Sequence, residues 1–179
     1  MRSEICRGLA VVVLLTLSPA QTRAQQMTAI VHGEVIDGNG GAPIRDGVVL
    51  VRGDRIVAVG PAGAVDIPRD AQVVDAAGKS VLPGLADMHV HLNGGWDGQA
   101  VEMLGYQRYL NALLYAGVTT VLDTGNVLPY IQQIKQEVSA RRIAGPAIHM
   151  AGPLIDGADP AWPPLSMAVA STAQIPGYV

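Results

Sequence analysis

The sequence has few aromatic residues, few charges and almost no cysteine. Among its 179 residues there is no Phe and only 4% are aromatic, so Val, Leu, Ile and Ala must build the core. A single cysteine excludes a fold that depends on disulfide bonds. The 15 Asp and Glu residues outnumber the 12 Lys and Arg residues. The chain therefore has no excess of positive charge with which to bind the phosphates of a nucleic acid. We therefore expect no nucleic-acid partner.

The abundant residues indicate a globular chain with many turns. Hydrophobic residues make up 49% of the sequence, which excludes intrinsic disorder. The 21 Gly and 12 Pro follow no three-residue period, which excludes collagen and favours a fold with many tight turns. The length fits one domain, or one and part of another, at about 100–200 residues per domain.

The first 24 residues are typical of an export signal. Arg2 and Arg7 flank the start of the apolar run Gly8–Leu17, which is too short to cross a hydrocarbon core of about 30 Å. The small residues Thr22 and Ala24 match a signal-peptidase site. We therefore expect residues 1–24 to be removed near Ala24, the mature protein to reside in the periplasm or outside the cell, and no stable membrane anchor to remain.

This processing predicts a defined N-terminus. N-terminal sequencing of the exported protein is expected to begin near Gln25, because cleavage after Ala24 also removes the only cysteine, Cys6. Cytosolic protein that still begins at Met1 would contradict the export signal. Membrane-bound protein that begins at Met1 would instead indicate an uncleaved anchor, which is the alternative explanation of the same apolar run.

Residues 25–82 contain short β-favouring runs between Gly, Pro and Asp turns, which predicts a small all-β domain. The runs Val48–Val51 and Ile56–Val59 flank a Gly-Asp tip, a pattern typical of a hairpin. Further strands are expected over 28–36, 73–75 and 79–82.

From Pro83 onwards strands and helices alternate. Strands are predicted over 85–92, 118–122 and 147–151, and helices over 102–115 and from Pro129 to about Arg142. Such an alternation predicts right-handed β–α–β units with a parallel sheet. The tail, residues 152–179, predicts a long loop with a short helical piece near 166–173.

A His-x-His pair on the first of these strands is the strongest candidate for chemistry. Residues i and i+2 of a strand point to the same face, so His89 and His91 project together, with Asp87 behind them. Two neutral imidazoles side by side can bind one divalent metal ion. The pair also lies at the carboxyl end of its strand. In (β/α) barrels, which consist of repeated β–α units, the active site lies at that end of the strands. Exposed or hydrogen-bonded histidines are the plainer alternative.

Several other polar residues have structural explanations. Asp123 ends the second predicted strand, where capping or loop bonding is expected, and His149 on the third strand is expected to be hydrogen-bonded. Both stay candidates to line the site, together with Asp87. Asp156 lies in a turn-rich loop and is expected to be solvated, and His32 in the β-domain is expected to be structural.

The blocks Val48–Gly60, Asp75–Lys79 and Val81–Leu92, followed by the strand Gly117–Asp123, resemble the metal-dependent amidohydrolases. The likeness is greatest to the branch that contains imidazolonepropionase-like and prolidase-like enzymes, and it covers about residues 30–165. It implies an α/β protein in which a β-sandwich-type domain flanks a (β/α)8 TIM barrel.

The resemblance also implies a site and a reaction. His89 and His91 would be first-strand ligands of a divalent metal, with zinc favoured and the choice between one and two ions left open. The reaction would be metal-dependent hydrolysis of an amide-type C–N bond in a small-molecule or dipeptide-like substrate. A homo-oligomer of the full-length protein stays an open alternative.

The sequence departs from the family after the third strand. The family draws further ligands from its fourth, fifth and sixth strands and an aspartate from its eighth. In this sequence no histidine follows His149, and Lys135 is the only lysine after His91. A barrel takes about 250 residues, so residues 83–179 hold its first three βα units. We therefore expect an N-terminal fragment or truncated product, without the late catalytic aspartate and nearly inactive alone. A non-catalytic secreted remnant and a β-rich binding module are the alternatives.

Overall fold

The computed structural model describes residues 26–92 and 105–177 of the chain. It contains two compact units, of which the first ends at Val81 and the second begins at Leu82. The expected export signal and residues 93–104 lie outside the described residues. Among the described residues, no helix is both long enough and apolar enough to cross a membrane.

The first unit is built around one five-stranded sheet. Its strands are β1 (Met27–Val35), β2 (Ile44–Arg52), β3 (Arg55–Pro61), β4 (Gln72–Asp75) and β5 (Ser80–Val81). β1 is central: it pairs antiparallel with β2 and parallel with β4 and β5, while β2 and β3 form the expected hairpin around Gly53. Alternate residues of β1 and β2 point inward, so Ala29, Val31, Val48 and Leu50 form the core. A second sheet is not found within residues 26–81, and the sandwich stays a prediction.

β1 and β2 each carry an irregularity beside the pair Gly33–Gly47, where their register shifts. His32 lies at the shift in β1 and Asp46 at the shift in β2, and both have positive φ, 63° and 47°. A left-handed backbone costs a residue other than glycine about 1 kcal/mol or more. Bulges of this kind re-aim a side chain, so the fold holds these two side chains in directions that a regular strand would not allow.

The second unit alternates strands and helices. Its first elements are β6 (Leu85–Val90), α1 (Tyr106–Tyr115), β7 (Val118–Asp123), α2 (Leu128–Ser139) and β8 (Ala147–Met150). The three strands form a parallel sheet in the order β6-β7-β8. The core of the unit consists of side chains from both layers: Leu92, Leu110, Val121, Tyr130, Ile131, Ile134 and Ile148. The mixed α/β class predicted from the sequence is confirmed. A third helix of this kind does not occur in residues 151–177, so the third βα unit stays a prediction.

Local signals fix where the two helices begin and end. α1 is followed by Gly117 at φ 81°, a left-handed glycine of the kind that commonly ends a helix. α2 has Pro129 in its first turn, as predicted. At its end the Arg142 amide donates to the Glu137 carbonyl, and the Arg142 guanidinium donates to the Glu137 carboxylate at 2.6 and 2.8 Å. This contact holds the pKa of the Glu137 carboxyl below its usual range.

The tail contains more strand than the sequence predicted. β9 (Leu154–Asp156) and β10 (Ser166–Ala168) pair in parallel, and 3-10 turns occupy Pro163–Leu165 and Thr172–Gly177. The predicted helical piece near 166–173 is therefore wrong over residues 166–168. Pairing with β9 decides that segment, because each short strand has too few residues for a periodicity of its own.

Gly84, at the start of the second unit, has no room for a side chain. An added Cβ would lie 2.0 Å from Thr119 Oγ1 and 2.7 Å from Thr119 Cβ, so β6 and β7 would have to move apart. We expect Gly84→Ala to lower the free energy of unfolding by about 2 kcal/mol, as measured by urea denaturation. Gly157→Ala is the matched control, because nothing lies within 4 Å of its added Cβ. Equal stability of the two variants would contradict the packing at Gly84.

Candidate functional site

The two histidines of the His-x-His pair lie next to each other at the carboxyl end of β6. Their ring centroids are 5.4 Å apart and the ring planes are inclined by 76°. The strand is not regular at this point, because the register of β6 with β7 shifts between Asp87 and Val90. His91 itself follows the last residue of the strand. The end of β6 thus presents two imidazoles to one place.

The loop after β7 fixes the orientation of His91. Nδ1 of His91 lies 2.9 Å from the carbonyl oxygen of Gly125. Because a carbonyl can only accept, Nδ1 carries the proton in this bond, and in the neutral imidazole Nε2 then keeps a free lone pair. Gly125 allows this approach: an added Cβ would lie 2.7 Å from Leu154 Cδ2 and 3.2 Å from His91 Cε1. A histidine that binds a metal through one ring nitrogen usually donates a hydrogen bond from the other nitrogen to a carbonyl or carboxylate, which orients the ring.

Asp87 acts on the backbone of β6. Its Oδ1 accepts the backbone N–H of His89 at 3.1 Å, which is a local bond within the irregular part of the strand. This bond fixes the chain from which the His89 ring projects. Among the described residues, no three His, Cys, Asp or Glu side chains are grouped so that they could hold a metal ion.

Asp123 is fully buried at the end of β7 and ties three segments together. Its carboxylate accepts the backbone N–H of Leu92 at 2.9 Å, the backbone N–H of Gly125 at 3.2 Å and the side-chain amide of Asn126 at 2.7 Å. Leu92 and Gly125 are the neighbour and the hydrogen-bond partner of His91. Asp123 therefore positions both the strand end and the loop that hold this imidazole.

His149 stands apart from the pair. It is exposed on β8 and lies in register with Leu122 of β7, so one full strand separates it from β6. At about 4.8 Å per strand this is about 10 Å between backbones. The structural hydrogen bond expected for its side chain is not found within residues 26–92 and 105–177.

Two residues of the site were not identified from the sequence. The Trp162 ring lies edge-on to His91, with centroids 5.9 Å apart and planes inclined by 69°. Asn126 is fully buried and donates to Asp123. The polar run after the second predicted strand was the available signal for Asn126. Trp162 lies in the tail, where no pattern indicates its position.

The position of Trp162 depends on Asp156. The Asp156 carboxylate accepts the backbone N–H of Gly157 at 2.7 Å and of Ala161 at 3.1 Å, while its carbonyl accepts from Val169 at 2.9 Å. Asp156 was expected to be solvated, and in addition it makes these hydrogen bonds within its loop. Its bonds fold the loop between β9 and β10 back on itself, immediately before Trp162.

Comparisons with known proteins agree on one family. The model of the amidohydrolase family matches residues 80–172. The enamidase of Eubacterium barkeri is 30% identical over 95 residues, which are 52% of this chain and 24% of the enzyme. The imidazolonepropionase of Stenotrophomonas maltophilia (strain R551-3) is 45% identical over 62 residues, 35% of this chain and 15% of the enzyme. Among solved structures, molinate hydrolase superposes with a TM-score of 0.64 at 32% identity, over 74% of this chain and 31% of that chain. The chain thus spans about a quarter or less of the two curated relatives.

Proposed function

Because the chain belongs to the amidohydrolase family, we propose that it supplies the first metal-binding strand of a hydrolase that cleaves amide-type C–N bonds. The substrate would be a small molecule or a dipeptide-like compound. The observation that carries the proposal is the bond from His91 Nδ1 to the Gly125 carbonyl, which leaves Nε2 free beside the His89 ring. The names of the relatives, an imidazolonepropionase among them, support the substrate class.

The residues present fit a divalent metal such as zinc. His89 and His91 would hold it, since neutral imidazole nitrogens are preferred zinc ligands and the Gly125 carbonyl already selects the required tautomer of His91. A divalent cation bound there would lower the pKa of a water ligand towards about 7 and polarise the substrate carbonyl. The Trp162 ring packs edge-on against the His91 imidazole that would bind the metal.

The pair supplies only part of a ligand set. A catalytic zinc usually takes three protein ligands and a water molecule, and the described residues bring together two imidazoles. We propose that the remaining ligands and the proton-transferring carboxylate come from later strands of a barrel. On this view His89 and His91 hold the metal ion and transfer no proton.

Ring nitrogen NMR of the labelled chain tests the proposal. At about pH 8, His91 is expected to show a protonated Nδ1 and an unprotonated Nε2, because the Gly125 carbonyl oxygen can only accept a hydrogen bond. Added zinc should shift the signals of both His89 and His91. It should leave those of His149 unchanged, because this residue lies a full strand away from β6.

The matched variants separate the pair from other histidines. His89→Ala and His91→Ala should each weaken zinc binding by at least about tenfold, whereas His149→Ala should not change it. Zinc shifts centred on His149, or equal affinity in all three variants, would contradict the assignment.

A further inference from the structure

The first unit contains a cleft that the proposed hydrolase site does not use. Its volume is about 330 Å³, and it lies where β1 runs between β2 and β5. Five charged or titratable side chains line the cleft: His32, Glu34, Arg45, Asp46 and Lys79. Ser80 also lines it. Pairing places them there, because Glu34 is opposite Ser80 on β5 and Val35 is opposite Ile44, the residue before Arg45.

The two residues of β1 and β2 with positive φ that are not glycine, His32 and Asp46, both line this cleft. His32 was expected to be only structural, and its Nδ1 does contact Asp75 Oδ1 at 3.1 Å. Its other ring nitrogen has no partner within the described residues. A fold that keeps two unfavourable backbone conformations at one cavity is typical of a functional site.

The charges around the cleft are not neutralised by one another. Within residues 26–92 and 105–177, the side chains of Glu34, Arg45 and Lys79 form no hydrogen bond or ion pair. Positive and negative groups therefore line one space while each is still available to a ligand. The acidic and histidine side chains here are not grouped as a metal site, within the same described residues.

We propose that this cleft binds a small zwitterion, a molecule of amino-acid or dipeptide size that carries both an ammonium and a carboxylate group. A simple anion would pair with Arg45 and Lys79 but would be repelled by Glu34 and Asp46. A simple cation would pair with the two carboxylates but would be repelled by the two basic side chains. A zwitterion can pair with both sets. The guanidinium of Arg45 is suited to a carboxylate, because its parallel N–H groups can bind both oxygens.

The size and exposure of the cleft set the expected affinity. A volume of about 330 Å³ is near the lower end of ligand pockets, roughly 300–1,000 Å³, and fits a ligand of amino-acid or dipeptide size. The lining groups are exposed to water, which screens their charges, so we expect binding in the millimolar range, roughly 1 mM.

An NMR titration of the nitrogen-labelled 179-residue chain tests the proposal, with glycylglycine as the zwitterion. Saturable shifts are expected at residues 32–34, 44–47 and 78–80. Acetate and methylammonium, which carry one charge each, should bind at least about tenfold more weakly, because each meets uncompensated like charges. Acetate binding equal to that of glycylglycine would show a plain anion site and overturn the proposal. The absence of saturable shifts there would also overturn it.

Substitutions inside and outside the cleft test which side chains bind the zwitterion. Arg45→Gln and Glu34→Gln should each reduce glycylglycine affinity by about tenfold, and Glu34→Gln should at the same time increase acetate affinity. Arg69→Gln is the matched control, since Arg69 is an exposed arginine of the same unit outside the cleft. If Arg45→Gln loses its dispersed spectrum, Lys79→Gln replaces it. His89→Ala should leave glycylglycine binding unchanged, so failure of the proposed hydrolase function does not decide this test.

Discussion

Replacing His89 or His91 by alanine is expected to reduce metal-dependent amide hydrolysis by about a thousandfold or more in a barrel that has all its strands. Loss of a group that merely orients a metal ligand costs about 10–100-fold, and loss of a ligand itself should cost more. A suitable protein is a chimaera in which residues 26–177 replace the corresponding part of molinate hydrolase. Hydrolysis of molinate and of an Xaa-Pro dipeptide would be measured with stoichiometric zinc and with a chelator.

The controls for this experiment come from the same sheet. His149→Ala in the chimaera should keep most of the activity, because that residue is separated from β6 by β7. The 179-residue chain by itself should bind zinc weakly and show little turnover, since its described residues offer two ligands in place of three. Robust turnover by this chain that a chelator abolishes would show that its own residues complete the site.

The sequence predicts those parts of the fold that are encoded by local patterns. The stripe of Val127, Ile131, Ile134 and Val138 predicts α2, and all four pack in the core of the second unit. Pro129 and Gly117 mark helix ends because their backbone preferences are local.

Features that depend on distant contacts could not be predicted in this way. β9 and β10 have three residues each and exist because they pair with each other across the loop that Asp156 folds. The position of Trp162 beside His91 follows from that loop. The irregularities at His32 and Asp46 also lack a sequence signal, since neither residue is the glycine that a left-handed conformation favours.

In the candidate site, too, some features follow from local sequence and others depend on distant contacts. The spacing of His89 and His91 predicts that their rings adjoin, because i and i+2 side chains share a face on a strand. Their support is non-local: Gly125 lies 34 residues after His91, and its carbonyl reaches the ring only because of a missing side chain and the bonds of Asp123. A pattern of residue types can thus identify the imidazoles, whereas the groups that orient them depend on the folded chain.

Asp123→Ala is expected to be the most destabilising single change near the site, with a loss of about 4 kcal/mol in the free energy of unfolding. The carboxylate is fully buried and accepts three hydrogen bonds. Its removal takes this acceptor away from the N–H groups of Leu92, Gly125 and Asn126, all of which are buried. Asp123→Asn keeps one acceptor oxygen but turns an NH2 group towards a donor, so we expect about half that loss.

Urea denaturation of the variants measures these losses, with Asp159→Ala as the control. Asp159 is exposed in the loop of the same unit, and its replacement should change stability by less than about 0.5 kcal/mol. Where Asp123→Asn still folds, the His91 ring should lose its single tautomer in the NMR spectrum, because the loop that carries the Gly125 carbonyl is no longer fixed. A loss below about 1 kcal/mol for Asp123→Ala would mean that this carboxylate does not hold the site together, and that His91 owes its orientation to the packing of Gly125 against Leu154 instead.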